Sequence, residues 1–186
     1  MIKLKRLGFH TTYLIAGMLL SFTAQTTGLS KDASAVALLP LVKPQGKVIL
    51  TLDGLITHTN ADGQALFDLA MIQQLPTSTV YTSTVVTDGV KRFDGILVRD
   101  LFSQLGLSKQ AQYVDATALN DYLVQIPIAD FYDYDVLLAT HMDGVQLQPT
   151  DKGPLWVVYP RDKRRKLQDI RYDYRWVWQL KHLHIR

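Results

Sequence analysis

After residue 47 the hydrophobic and polar positions change period several times, and short extended patterns outnumber helical ones. KVILTLDG, residues 47–54, predicts a strand that ends at a Gly turn, and LITHTN continues extended to Asn60. Asn60 or Asp62 then offers a helix cap. In QALFDLAMIQQL, residues 64–75, Leu66, Leu69, Ala70 and Ile72 recur at helical spacing with Phe67 and Met71 beside them. A helix buried on one side is expected there, ended by Pro76. The β-branched run STVYTSTVVT, residues 78–87, predicts a strand, and Asp88 and Gly89 predict the turn after it.

Residues 98–105 return to helical spacing, with Gly106 placed as the carboxyl-terminal cap. Beyond them, residues 113–118, 122–127, 136–142 and 155–159 are short apolar or β-branched segments separated by Asp, Asn, Gly and Pro. The tail RYDYRWVWQLKHLHIR fits either a short helix or a closing strand, with Trp176 and Trp178 as packing aromatics in both cases. The whole predicts one β-rich α+β domain over residues 47–186.

Residues 1–6 are basic, 11–22 mostly apolar, and 23–30 small and polar, which is the layout of a secretory signal. The apolar run falls short of the roughly 20 residues a spanning helix needs. Residues 1–24 are therefore expected to be a signal peptide, with an uncleaved amino-terminal anchor as the alternative. Residues 25–46 are a leader, and the folded part lies in the periplasm or is otherwise exported.

Composition, 47% hydrophobic and 20% charged, suits a single globular domain. There is no Cys in the chain. That excludes disulfides, zinc-thiolate sites, iron-sulfur clusters and cysteine nucleophiles. The formal charge is +3, equal to the three basic residues Lys3, Lys5 and Arg6 of the expected signal. Charge is unevenly spread: residues 161–186 carry nine basic residues against three Asp. The interleaved Tyr172, Tyr174, Trp176 and Trp178 would suit a nucleic-acid surface by composition, but export removes that partner. A docking surface for a membrane-bound or periplasmic protein is the better expectation.

Two stretches resemble a known family. Residues 111–160 run through an Asn-Asp-Tyr strand leading to a Pro, an apolar strand, MDGVQL as a turn, and Gly-Pro-Leu before a strand ending in Pro. Residues 86–107 place a loop, a Phe, a Gly and a short helix in order. Both are similar to the sulfite-oxidase-type molybdopterin-binding oxidoreductases, and the resemblance implies a mixed-sheet α+β domain of that type. It also implies a cysteine thiolate on molybdenum, in the loop after the strand matching residues 78–87. Here that region holds Thr82, Ser83, Thr84 and Thr87. A hydroxyl is neither deprotonated at neutral pH nor soft enough to replace a thiolate. Where the family follows Gly-Pro-Leu with an Arg that anchors the cofactor's anionic end, this chain has Trp156, an apolar plate. The basic loop RDKRRKLQD, residues 161–169, starting at Arg161, retains anion affinity.

The resemblance therefore implies an inherited pocket without the inherited reaction. Thr82, Thr84, Asp121, Tyr122, Trp156 and Arg161 are its candidate ligand-binding residues. Each has a plainer reading beside it: a Thr row chosen for strand propensity, an Asn-Asp turn, a core Trp. Asp130, Asp133 and Asp135 lack the Gly and terminal Glu of a calcium loop, and His182 and His184 are only two ligands on one strand face, so no metal site is expected. His58 and His141 read as satisfied polar residues near strand ends. The expected function is an exported ligand-binding, accessory or sensory module that takes a small molecule and no cofactor. The alternative is an oxidoreductase holding molybdopterin without a Cys ligand. No catalytic grouping is recognisable in the sequence.

Overall fold

The structure, a computed structural model, describes residues 41–186. The expected signal peptide and most of the leader lie outside the described residues. Leader residues that are described are tied to the domain: the Gln45 and Gly46 amides donate to the Asp68 carboxylate, and the Asn60 amide donates to Val42 O.

Among the described residues the strands form two sheets. The first contains β1 (Val48–Gly54), β2 (Ala65–Asp68), β5 (Tyr113–Ala118), β6 (Leu123–Pro127) and β10 (Leu180–Ile185), in the order β2-β1-β10-β5-β6. Only β1 and β10 pair in parallel. The second is built from β3 (Thr77–Thr84), β4 (Thr87–Leu97), β7 (Leu137–Met142), β8 (Val145–Gln146) and β9 (Trp156–Val158). β7 is its centre, pairing with β4, β8 and β9. One core joins the two sheets: Leu50, Leu52, Ala116 and Leu183 from the first meet Val80, Phe93, Leu138 and Trp156 from the second.

Four short helices, α1 (Leu69–Gln73), α2 (Val98–Leu105), α3 (Ile128–Asp133) and α4 (Ile170–Asp173), connect the strands among the described residues. None is long and apolar enough to cross a membrane. α2 buries Val98, Leu101, Phe102 and Leu105, the i, i+3, i+4, i+7 stripe of an amphipathic helix, and Phe102 meets Phe131 of α3 edge-on at 5.1 Å. Gly106 ends α2 at φ 63°, a left-handed position that only glycine takes without a side-chain penalty.

The helix expected over residues 64–75 is half strand. Asn60 does not cap it; its side chain donates to Leu66 O and accepts from Leu66 N, both at 2.8 Å, and so clamps the backbone extended for pairing with β1. The helix begins only at Leu69, where the Asp68 carboxylate accepts from Met71 N at 2.9 Å. The turn expected at Asp88 and Gly89 lies three residues earlier. Thr84 pairs with Thr87 and Ser83 with Val90, so Val85 and Val86 form the hairpin tip and the Asp-Gly pair is taken up as a bulge. Thr84 Oγ1 accepts from Val86 N at 3.1 Å and so closes the tight turn.

Asp68 makes the stability of the fold pH-dependent. Its hydrogen bonds from Met71, Gly46 and Gln45 outweigh burial and hold its pKa below the ordinary 3.8. The unfolded chain therefore takes up this proton at higher pH than the native one, and the stabilisation present above that value is lost as pH falls through the lowered one. Asp143, held low by the Arg92 amide, and Asp169, lowered to about 2 by Arg171, act in the same direction. The urea midpoint is expected to fall steadily below pH 4, and Asp68→Asn to lower it at pH 7 while making the acid limb shallower.

Candidate functional site

Three segments distant in sequence meet in a cleft of about 270 Å³ lined by the hairpin tip, the β5–β6 turn and the stretch between α4 and β10. The first supplies Thr84, Val85 and Val86, the second Asn120 and Tyr122, and the third Asp173, Tyr174, Trp176 and Trp178. Its volume is at the lower end of the roughly 300–1,000 Å³ usual for small-molecule sites.

Each wall has a local cause. Thr82 and Thr84 alternate inward along β3 and are buried. The Thr84 hydroxyl is 2.8 Å from that of Thr87 and accepts from the Val86 amide, so it is tied into the hairpin. In the β5–β6 turn, Asn120 Oδ1 accepts from Tyr122 N at 3.1 Å while Asp121 takes φ 64°, a left-handed position that Asp tolerates. The turn presents Tyr122 to the cleft, where its hydroxyl donates to Tyr174 O at 3.0 Å. It sends Asp121 outward to Lys181 Nζ at 2.6 Å, and this bond lowers the Asp121 pKa.

Trp156 is fully buried and lies behind the cleft. Its ring meets Phe93 at 5.3 Å and Trp176 and Trp178 at 6.3 Å each, all edge-on. It is a support for Trp176 and Trp178 of the cleft wall, and the role of exposed stacking plate passes to Trp178, since Trp176 is itself buried. Their places were not foreseen, although spacing by two along an extended tail puts Tyr174, Trp176 and Trp178 on one side.

Arg161 is also one layer back. It opens a 3₁₀ turn, Arg161–Lys163, folded against β3. Ser83 donates from its amide and its hydroxyl to the Asp162 carboxylate, both at 2.6 Å, and Thr82 Oγ1 accepts from Asp162 N at 3.3 Å. The Arg161 guanidinium reaches Ser83 Oγ at 3.5 Å and places Nε 3.7 Å from Asp173 Oδ1. Both atoms of that last pair are buried without a hydrogen bond, and so is the indole N–H of Trp176. Of the six sequence candidates, the structure thus brings Thr84 and Tyr122 to the cleft, sets Thr82, Trp156 and Arg161 behind it, and turns Asp121 away.

The Asp130, Asp133 and Asp135 cluster is separated by other partners. Asp130 is bound by Arg175 and by Tyr159 Oη, which donates at 2.9 Å, and Asp135 accepts from Arg99 at 2.7 Å. His182 and His184 do share one face of β10, with Asp53 of β1 3.1 and 2.6 Å from them. Burial raises the Asp53 pKa, but the His184 hydrogen bond and the His182 charge lower it further, so it lies below the ordinary value. Among the described residues no three acidic or His side chains are arranged to hold a metal. Asp53 and His182 border a larger cleft of about 560 Å³ on the outer face of the first sheet, which contains none of the six candidates.

Residues 58–162 match the family described as the oxidoreductase molybdopterin binding domain. Among curated proteins, none matches the sequence. Among solved structures, the sulfane dehydrogenase SoxCD from Paracoccus pantotrophus is similar with a TM-score of 0.55 at 17% identity, over 73% of this chain and 37% of the SoxCD chain. At that identity the likeness is one of fold, and this chain spans little more than a third of that protein's length.

Proposed function

From the premise that this chain belongs to the oxidoreductase molybdopterin binding domain family, we propose that it keeps the scaffold as a receptor for a small organic ligand, as an exported accessory or sensory module. The observation that carries the reading is the chemistry of the cleft wall. Thr84, in the strand region where the family's thiolate is expected, has its hydroxyl engaged by Thr87 and Val86. The one charged side chain among the described residues lining the cleft is Asp173, a carboxylate. Molybdopterin brings an anionic phosphate and a thiophilic metal. A carboxylate repels the first, and the wall offers the second neither sulfur nor a deprotonated oxygen at Thr84. Arg161, the nearest cation, is turned to Asp173 and Ser83. The residues present do not fit the cofactor.

What the wall does offer is apolar and aromatic area with few polar groups, the composition of a small-molecule site. Binding would enclose the ligand between Val85, Val86, Tyr122 and Trp178, and the aromatic rings supply contact area at little entropic cost. The basic segment after residue 160 supports a docking role toward an acidic membrane-bound or periplasmic partner. The tripartite layout of residues 1–30 supports export.

Two measurements test the proposal. Protein purified from its own host is expected to hold no stoichiometric molybdenum or tungsten, and metal at one atom per chain would overturn it. Screening a metabolite panel by thermal shift is expected to give at least one ligand that raises the melting temperature, since a ligand at 100 times its Kd stabilises by about 2.7 kcal/mol. Trp178→Ala should abolish that shift while leaving the protein folded.

A further inference from the structure

We infer that the cleft between the hairpin tip and the Trp176–Trp178 stretch selects a small organic ammonium ion. The inference rests on the receptor reading and adds the class of ligand.

Four aromatic side chains, Tyr122, Tyr174, Trp176 and Trp178, line one small cleft with a single carboxylate among them. Aromatic faces carry negative electrostatic potential, so rings gathered about a cavity attract a cation, and desolvation strengthens the attraction. Asp173 adds a full negative charge. Its Oδ1 is buried with no hydrogen bond, and Arg161 Nε at 3.7 Å leaves both polar atoms unsatisfied. That oxygen is closed off behind the wall, and the second carboxylate oxygen, which is not enclosed, is the one that a partner from outside the chain can meet. An ammonium group supplies that partner.

Arg161, ion-paired to Asp173 Oδ1 from behind the wall, offsets part of that charge, and the other charges nearby do not reverse the preference. Arg175 is committed to Asp130, and Arg171 to Asp169. Arg164 and Arg165 are exposed and outside the lining, where salt screens them over about 8 Å. An anion entering the cleft would meet Asp173 and the faces of the rings. A neutral molecule would gain contact area but leave the carboxylate oxygen without a donor.

Calorimetric titration of the purified protein with choline, ethanolamine and 3,3-dimethylbutan-1-ol tests this, because the last is the uncharged carbon replica of choline. Choline or ethanolamine is expected to bind at least tenfold tighter than the replica. Trp178→Leu keeps an apolar wall but removes a ring face, and Asp173→Asn removes the charge. Each should weaken the better ammonium probe about tenfold and leave the replica unchanged, at a melting temperature within a few degrees of the parent. Equal binding of charged and uncharged probes would overturn the ammonium preference and leave the receptor reading intact. Failure of both ammonium probes to bind would also overturn it, and the receptor reading would then be judged by the metabolite panel alone.

Discussion

Asp130→Ala is expected to destabilise the protein by about 3–5 kcal/mol, the range for breaking a buried ion pair from one side. Asp130 lies in the first turn of α3 and accepts from two groups at once, the Arg175 guanidinium and Tyr159 Oη. Burial, and then the Asp130 charge, push the Tyr159 phenol well above its ordinary pKa, so it acts as a donor at every working pH. Removing the carboxylate leaves a guanidinium with little access to water and a fully buried hydroxyl without an acceptor. Arg175 stands between Tyr174 and Trp176 along the backbone, and its guanidinium lies over the Tyr172 ring at 4.5 Å. The damage should therefore reach the cleft, and ligand-induced stabilisation should fall with the urea midpoint. Arg175→Met in the Asp130→Ala background is expected to recover part of the loss, because the stranded charge goes with it. A double variant no more stable than the single would show that the guanidinium is solvated after all.

Trp156→Ala is the other large effect, about 3–5 kcal/mol by the usual cost of deleting a buried Trp side chain. The indole is the meeting point of Phe93 on β4 with Trp176 and Trp178, so its removal opens a void between the second sheet and the cleft wall. Trp156→Phe, which retains an aromatic ring, should lose less. Trp178→Ala should lose less still, because Trp178 is 37% exposed and its loss leaves no enclosed void. Urea unfolding of the three variants gives the order, and ligand response should fail in Trp156→Ala even where the protein remains folded. If Trp156→Ala and Trp178→Ala were equally stable, the buried indole would not be the support described.

Where local chemistry decides a segment, the sequence was legible. Residues 98–105 and 113–118 form the helix and strand that spacing predicts, because an amphipathic stripe with a Gly cap and a β-branched alternation each have one low-energy outcome. Residues 64–75 went astray because their helical spacing competes with an outside contact. Asn60 clamps Leu66, and β1 recruits Ala65–Asp68 as a partner strand. The Asp-Gly pair was read as a turn, but the Thr84 hydroxyl closes the hairpin earlier. α3 was not anticipated at all, since it follows Pro127 without a side-chain cap.

The β-rich α+β fold and its family were readable from the order of motifs over residues 86–160. The cleft was readable only in part. Thr84 and Tyr122 lie in it, but the tail that completes the wall arrives from more than 50 residues further along the chain than Tyr122, as the bond from Tyr122 to Tyr174 records. No local pattern shows which of four Trp and Tyr residues in an aromatic tail will face a cavity and which will pack. Asp121 looked like a ligand contact because the backbone sign of its turn, φ 64°, is invisible in the residue names.

The place of β10 between β1 and β5 has a consequence for biogenesis. Both neighbours precede it in the chain by more than 60 positions, and it is the strand that joins them. During translation the first sheet exists only as separate halves until residues 180–185 have left the ribosome, so tertiary closure must wait for nearly the whole described chain. Such late closure also slows folding, since the pairing spans a long stretch of sequence. Until then β1 and β5 each present an unpaired edge on the side that β10 will fill.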